Sequence, residues 1–302
     1  MRRNFFKKPT IVSILVVLAV AITATIVLAI TTSPVTVTDT FHDTTKIASN
    51  INVTVDTVNG QVTLSTASSW TCGSLLFDSR DSQSYATVLI GSQCWMSQNL
   101  NVGTKITSCV NGYVGTCTTG GSTVQNQGTS TVSIQKYCYN DSNANCPLST
   151  GSTTNEYGGL YQWTQAMGGS TSTTGIAVTG ICPASWHLPT DAEYKTLEIY
   201  LGMCSGTAGS PPPYCADDNN QYRGTTQGTQ LKSGGTSGFN GLLAGGRDTD
   251  GSFFNQGSNA YLWSSLVSGG SAWYRALSSG DAGVRRYTNA QAYGFSVRCV
   301  HN

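Results

Sequence analysis

The chain is 302 residues long with a formal charge of +1; only 10% of it is charged, against roughly 25% in an average soluble domain, while 39% is apolar and 9% aromatic. That apolar share excludes a disordered chain, and the scarcity of charge argues against an ordinary cytosolic enzyme. The length allows one large or two modest domains, each able to bury a core.

Residues 1 to 10 carry Arg2, Arg3, Lys7 and Lys8 and read as a cytoplasmic basic tail. Residues 11 to 30, IVSILVVLAVAITATIVLAI, contain no charge, Pro or Gly. As a helix this run would be about 30 Å long, the thickness of a bilayer core. Cations before the run and none just after it place the N-terminus in the cytoplasm and everything from Thr31 outside. A cleaved signal peptide shares the basic flank, but its apolar stretch is usually about 7 to 15 residues and ends in a small-x-small site. Here the run is longer and ends Leu28-Ala29-Ile30-Thr31-Thr32, so the expectation is an uncleaved, single-pass signal anchor with the C-terminal part extracellular. The exported part then keeps 12 of the 16 basic residues and all 15 acidic ones, a net charge near −3. Such a surface has no electrostatic footprint for nucleic acid, and the partners expected are the membrane, through residues 11 to 30, and a glycan or surface protein.

Residues 31 to 69 are rich in Thr and Val with few large apolar side chains, and read as a stalk. Within it INVTVDTVNGQVTLS alternates about Asn59-Gly60, a hairpin-turn dipeptide. Aromatics begin at Trp70 and mark residues 70 to 302 as the folded extracellular domain. QSYATVLIGSQCWM alternates about Gly91 and predicts two strands meeting in a turn. GGLYQWTQAM spaces Leu160, Trp163 and Met167 as one face of a helix. TDAEYKTLEIYLG predicts a second helix, with Thr190 and Glu193 as a capping box, a stripe of Tyr194, Leu197 and Leu201, and Gly202 at the C-cap. Beyond Cys215 the segments GFNGLLAGGR, AYLWSSLV, AWYRALSS, VRRYTN and YGFSVRCV are short and aromatic-rich, and predict antiparallel strands. Two helices and many short strands make an α+β domain.

All ten cysteines lie beyond the stalk, and an even number in an exported chain predicts five disulfides. Zinc is disfavoured because there is no CxxC pair and His42, His187 and His301 are scattered. About 945 pairings are open, the count for eight cysteines extended to ten. Proximity favours Cys109 with Cys117, Cys138 with Cys146, and Cys204 with Cys215, leaving Cys72 with Cys94 and Cys182 with Cys299.

GxSxG, HExxH and the P-loop are absent. The only catalytic candidate is His187, whose alternative is a structural histidine in the turn feeding the second helix. Asp191 and Glu193 are the nearest carboxylate pair, and first-turn helix acids explain them equally well. No cofactor is required. Calcium has candidate ligands in Asp217 and Asp218, in Asp248 and Asp250, and in the series Asp141, Asn143 and Asn145, although none is followed by the bidentate acid of an EF-hand and local turn chemistry accounts for the same residues. Trp263, Trp273, Tyr274 and Tyr287 are candidates for a sugar-stacking surface, with burial in the core as the alternative.

The order DSRDSQSYATVLIGSQCWMSQNL, YCYNDSNANC, YGGLYQWTQAM, CPASWHLPTDAEYKTL, GFNGLLAGGR, YLWSS, WYRAL, YGFSVRCV resembles the Fibrobacter succinogenes major paralogous domain over nearly all of residues 75 to 300. The resemblance implies an exported or surface bacterial protein, with a Cys182–Cys299 disulfide by family pattern. HLPTDAEY and the closing Gly-Phe-x-Val-Arg strand are more distantly similar to formylglycine-generating sulfatase-modifying enzymes, which implies a C-type-lectin-like fold. Those enzymes use a pair of late cysteines; here Cys299 stands alone, so their chemistry is not carried over. The segment 108 to 133 and the loop 204 to 215 look longer than the family core needs. A binding site is therefore expected beside these loops and the turn holding Arg247, Asp248 and Asp250. The function expected is recognition or adhesion, with an exported enzyme or a structural envelope protein as alternatives.

Overall fold

The computed structural model describes residues 51–56, 61–66, 70–108, 126–147, 157–170, 176–208 and 213–301. The basic tail, the apolar run and the loop bearing Cys109 and Cys117 lie outside them. Among the described residues no helix is long and apolar enough to cross a membrane. The chain divides into two units, Met1–Trp70 and Thr71–Asn302.

In the first unit β1 (Ile51–Asp56) and β2 (Gln61–Thr66) pair antiparallel, with Asp56 opposite Gln61, the hairpin that the Val/Thr alternation predicts.

The second unit begins with a small hairpin of β3 (Leu76–Asp78) and β4 (Gln83–Tyr85). The predicted hairpin about Gly91 follows as β5 (Thr87–Ile90) and β6 (Gln93–Met96). Gly91 turns the chain at φ +62°, and a Cβ there would lie 2.8 Å from the Tyr200 ring, so glycine is needed on both counts. Next come the short parallel pair β7 (Thr104–Lys105) and β8 (Gln135–Lys136), then β9 (Tyr161–Gln162) and α1 (Trp163–Ala166). The helix expected over GGLYQWTQAM is thus a single turn. Leu160 bridges Tyr137 and β9 continues the extended chain, while Gly168 and Gly169, at φ +59° and +78°, end the helix. Leu160, Trp163 and Met167 are all buried, but not as one helical stripe.

After β10 (Trp186–His187) comes α2 (Asp191–Tyr200), where both halves of the predicted capping box form: Glu193 N donates to Thr190 Oγ1 at 3.1 Å and Thr190 N to Glu193 Oε2 at 2.8 Å. The last part runs through β11 (Tyr222–Arg223), α3 (Gln227–Leu231), β12 (Ala244–Arg247), β13 (Phe253–Gln256), β14 (Asn259–Ser268), β15 (Ser271–Ser278), β16 (Val284–Ala290), β17 (Gly294–Phe295) and β18 (Val300–His301). The long sheet has the order β11-β16-β15-β14-β12-β17-β9, with β13 also on β12; a second sheet has the order β10-β18-β6-β5.

The result is a mixed α+β domain, mostly sheet. Its core lies between α2 and the sheets, where Trp95 meets Tyr194 and Phe239 at ring-centroid distances of 5.2 and 5.6 Å among Ile90, Leu197, Leu231, Leu262, Leu277 and Val300. Four disulfides form among the described residues, in the pairing that proximity favours: Cys72–Cys94, Cys138–Cys146, Cys182–Cys299 and Cys204–Cys215. The Cys182–Cys299 bond spans 117 residues and ties the loop before β10 to the segment entering β18, its antiparallel partner. Arg298 of the closing motif is wholly buried, its guanidinium held by Asn99 Oδ1 at 2.8 Å and by the carbonyls of Phe239 and Asn240. Burial pushes its pKa down to about 9.

Candidate binding face on the long sheet

Side chains alternate along a strand, so each of β14, β15 and β16 deals its residues to two faces. The register aligns them across strands. Tyr222 of β11 opposes Arg285, Arg285 opposes Ala276, and Ala276 opposes Tyr261; one row thus crosses four strands. The next row on the same face is Tyr287, Tyr274 and Trp263. The opposite face receives Arg223, Arg275, Arg286 and Trp273.

On that opposite face the arginines meet the acids of α2. Arg286 grips Asp191 in a two-pronged pair, Nε to Oδ1 at 2.8 Å and Nη2 to Oδ2 at 2.9 Å, while Arg275 donates to Asp191 Oδ1 at 2.8 Å and to Glu198 Oε1 at 2.6 Å. Arg223 Nη2 lies 2.9 Å from both Glu198 oxygens, and Lys195 bridges Asp191 to Asp217 at 3.2 and 2.6 Å. Burial pushes the Asp191 carboxyl up, but Arg275 and Arg286 overcome this and hold it well below the usual carboxylate range. Burial pulls Arg223 down to about 10; Glu198 opposes this, and the neighbouring positive charge of Arg275 adds to it. Trp273 lies beneath the Arg286 guanidinium, 3.7 Å from Cζ to its ring centroid. Every charge here has a partner inside the fold.

The tyrosine face is built differently. Phe295 forms its floor, 4.4 Å from Trp263, 4.9 Å from the stacked ring of Tyr261 and 5.1 Å from Tyr274. Around this floor Tyr222, Phe254, Tyr261, Tyr287 and Tyr293 are half-exposed. Tyr287 stands edge-on to Tyr274 at 6.3 Å, and Phe254 bridges Tyr261 and Tyr293 at 5.4 and 6.2 Å. Polar groups rim the rings: Asn255 Nδ2 donates to Tyr261 Oη at 2.8 Å, and Asn259 Nδ2 to Tyr222 Oη at 3.4 Å. The latter bond draws Tyr222 from the sheet edge across its neighbours toward β14, so the ring leans over the face. Burial pushes the Tyr274 phenol up to about 12 although Arg285 opposes it, and burial together with Asp248 raises Tyr293. Hydroxyls, amides and ring faces thus share one rigid surface.

The residues expected to form a site fall in several places. Trp263 is fully buried, and its Nε1 donates to the Tyr161 carbonyl at 2.8 Å, which corrects its assignment to a stacking surface. Trp273 is half-exposed on the opposite face, its ring against the Arg286 guanidinium and apart from the tyrosines. Tyr287 is half-exposed on the tyrosine face, whereas Tyr274 lies buried beneath it. Arg247 is buried over the Tyr137 ring at 4.1 Å, with Nε donating to Ser108 Oγ at 2.6 Å, so it braces the turn from inside. Asp248 and Asp250 close that turn through Thr249 and Ser252 and border the face at Tyr293. Asp217 pairs with Lys195, and Asp218 Oδ2 accepts from the backbone of Ala208 and Cys215. Among the described residues no group of three or more His, Cys, Asp or Glu could hold a metal ion.

His187 is buried, with Nε2 2.7 Å from Glu193 Oε1. Burial raises the Glu193 carboxyl, but the bonds from His187 and Thr190 hold it below its ordinary value. The pair therefore locks the start of α2. A surface depression of about 340 Å3 beside α3 is lined by Ser and Gly residues and by Lys232, whose Nζ donates to the carbonyls of Ser278 and Asp281. Neither place assembles a nucleophile with a base.

Residues 88–301 match the Fibrobacter succinogenes major domain. The chain belongs to that family. No curated protein and no solved structure matches it. The family match covers the whole tyrosine face and both halves of the Cys182–Cys299 tie.

Tyr222, Phe254, Tyr261, Arg285 and Tyr293 were not singled out by sequence. Their signal is the two-residue alternation in β14 and β16, Tyr261 with Trp263 and Arg285 with Tyr287, which becomes legible once the cross-strand register is known.

Proposed function

We propose that this chain is a cell-surface recognition protein: a C-type-lectin-like domain carried outside the membrane by residues 11 to 30, binding glycans on its tyrosine face. The observation that carries the reading is the pair of cross-strand rows that sets half-exposed Tyr222, Tyr261 and Tyr287 on one rigid sheet, beside Asn255, Asn259 and Arg285. Ring faces offer the flat apolar surface on which the C–H side of a pyranose packs, and the amides and hydroxyls meet sugar hydroxyls at the rim. Family membership, four disulfides, low overall charge and the basic-then-apolar N-terminus support exposure outside the cell. The C-type-lectin-like part rests on the HLPTDAEY and Gly-Phe-x-Val-Arg resemblance, together with the tie between those two motifs.

The test is binding of the full chain, held in detergent micelles, to an array of plant, bacterial and animal glycans, with calcium and with chelator. Binding of at least one glycan is expected, weakened about tenfold or more by Tyr261→Ala or Tyr287→Ala and unchanged by the chelator. A chain that binds no glycan, or whose binding survives both substitutions, defeats the reading.

A further inference from the structure

Adjacent arginines of β16 meet opposite fates. Arg286 is saturated by Asp191, whereas Arg285, half-exposed on the other face, has no carboxylate partner among the described residues. Its guanidinium lies over the Tyr287 ring, 4.7 Å from Cζ to centroid, and its buried Nε has no hydrogen-bond acceptor. The residue opposite it on β15 is Ala276, buried in the row between Tyr222 and Tyr261. With strands about 4.8 Å apart, the backbones of those two tyrosines stand roughly 14 Å from one another. A planar guanidinium with unused donors, at the edge of a stacking surface, fits one chemistry above others: a carboxylate received through parallel N–H···O bonds.

We infer that the tyrosine face selects acidic glycans, with Arg285 receiving the carboxylate of a uronic acid residue while Tyr222, Tyr261 and Tyr287 pack against the sugar rings. This inference rests on the glycan-binding reading and names its substrate class. The face is also polarised. Tyr293, with Asp248 and Asp250 beside it, lies near Asn289, which is four residues along β16 from Arg285 or about 13 Å. The anionic group is thereby directed toward the Arg285 end, and charge at the other end is disfavoured.

The experiment compares the affinity of the full chain for polygalacturonate, for its fully methyl-esterified form and for a neutral glucan, using wild type, Arg285→Lys and Arg285→Gln. The esterified polymer keeps the rings and removes the charge. Wild type is expected to prefer the acid over the ester by about tenfold or more, the increment of a charge-assisted hydrogen bond. Arg285→Gln should abolish that preference, bringing acid and ester to equal affinity, and Arg285→Lys should retain only part of it. Equal wild-type affinity for acid and ester, with binding still lost in Tyr261→Ala, overturns the acidic-glycan inference and leaves the glycan reading standing. A preference that persists in Arg285→Gln also overturns it. Absence of binding to all three polymers, together with a blank glycan array, overturns both.

Discussion

The two faces of β15 and β16 are made by alternate residues of the same strands, yet they solve opposite problems. Toward α2, Arg275 and Arg286 are removed from water and matched by Asp191 and Glu198. Breaking one partner there leaves buried charge uncompensated, which costs far more than the intact pair contributes. Toward the tyrosines, Arg285 keeps contact with solvent, rests on a ring and has unused donors. The first arrangement cements a helix onto a sheet; the second keeps hydrogen-bonding capacity available at a surface. Satisfaction of charge, rather than residue type, separates a structural arginine from one able to bind.

The largest effect that would break this comparison is on the cemented side. Asp191→Ala strands the buried Arg286 guanidinium and takes one of the two carboxylates of Arg275, and should lower unfolding stability by about 3–5 kcal/mol, read as a shift in urea midpoint. Its pH signature follows from the same contacts. Because the folded Asp191 carboxyl is depressed, its contribution is complete above the unfolded value of about 3.9 and is lost as pH falls below that value toward the folded pKa. Wild type should therefore lose stability between roughly pH 4 and pH 3 more steeply than Asp191→Asn; parallel curves would show that the cluster does not bear on stability.

Thr190→Ala removes one half of the capping box and a hydrogen bond to the carboxylate that also holds His187. About 1 kcal/mol is expected, with no change in glycan affinity, since the cap lies on the α2 side. The smallest effect belongs to the open side: Arg285→Gln should shift stability by less than about 0.5 kcal/mol. A large loss there would mean that Arg285 is structural after all, and the two faces would no longer differ in kind.

Much of this architecture was legible in advance. The Gly91 hairpin, the Thr190 to Glu193 cap and the presence of strands beyond Cys215 follow from local chemistry: a left-handed glycine, a capping hydroxyl, an alternation of aromatics. The short-range disulfides Cys138–Cys146 and Cys204–Cys215 followed from proximity, because short loops close readily, whereas Cys182–Cys299, 117 residues apart, followed as a remaining pair and from the family resemblance. The helix over GGLYQWTQAM shrank to the single turn Trp163–Ala166 because three apolar residues at helical spacing are also what a strand end and a tight turn can bury. The stripe on α2 was read as Tyr194, Leu197 and Leu201, whereas the buried face also carries Asp191 and Glu198, which no apolar count reveals. Trp263 and Trp273 drew attention as strand aromatics able to stack on a sugar, and Arg247 for its turn; Trp263 and Arg247 are wholly buried, and Trp273 stands on the other face against Arg286.

What the sequence by itself determined is the local grammar: where helices are capped, where hairpins turn, which segments alternate, and that a charge-poor, cysteine-rich domain follows a basic and then apolar start. What tertiary structure alone decided is which parity of each strand meets α2 and which meets solvent. That choice depends on cross-strand register, and a slip of one residue would exchange Arg285 for Arg286 and Tyr287 for Thr288. No local propensity distinguishes two neighbouring arginines; only the carboxylates arriving from α2, some ninety residues earlier in the chain, select the one to be buried.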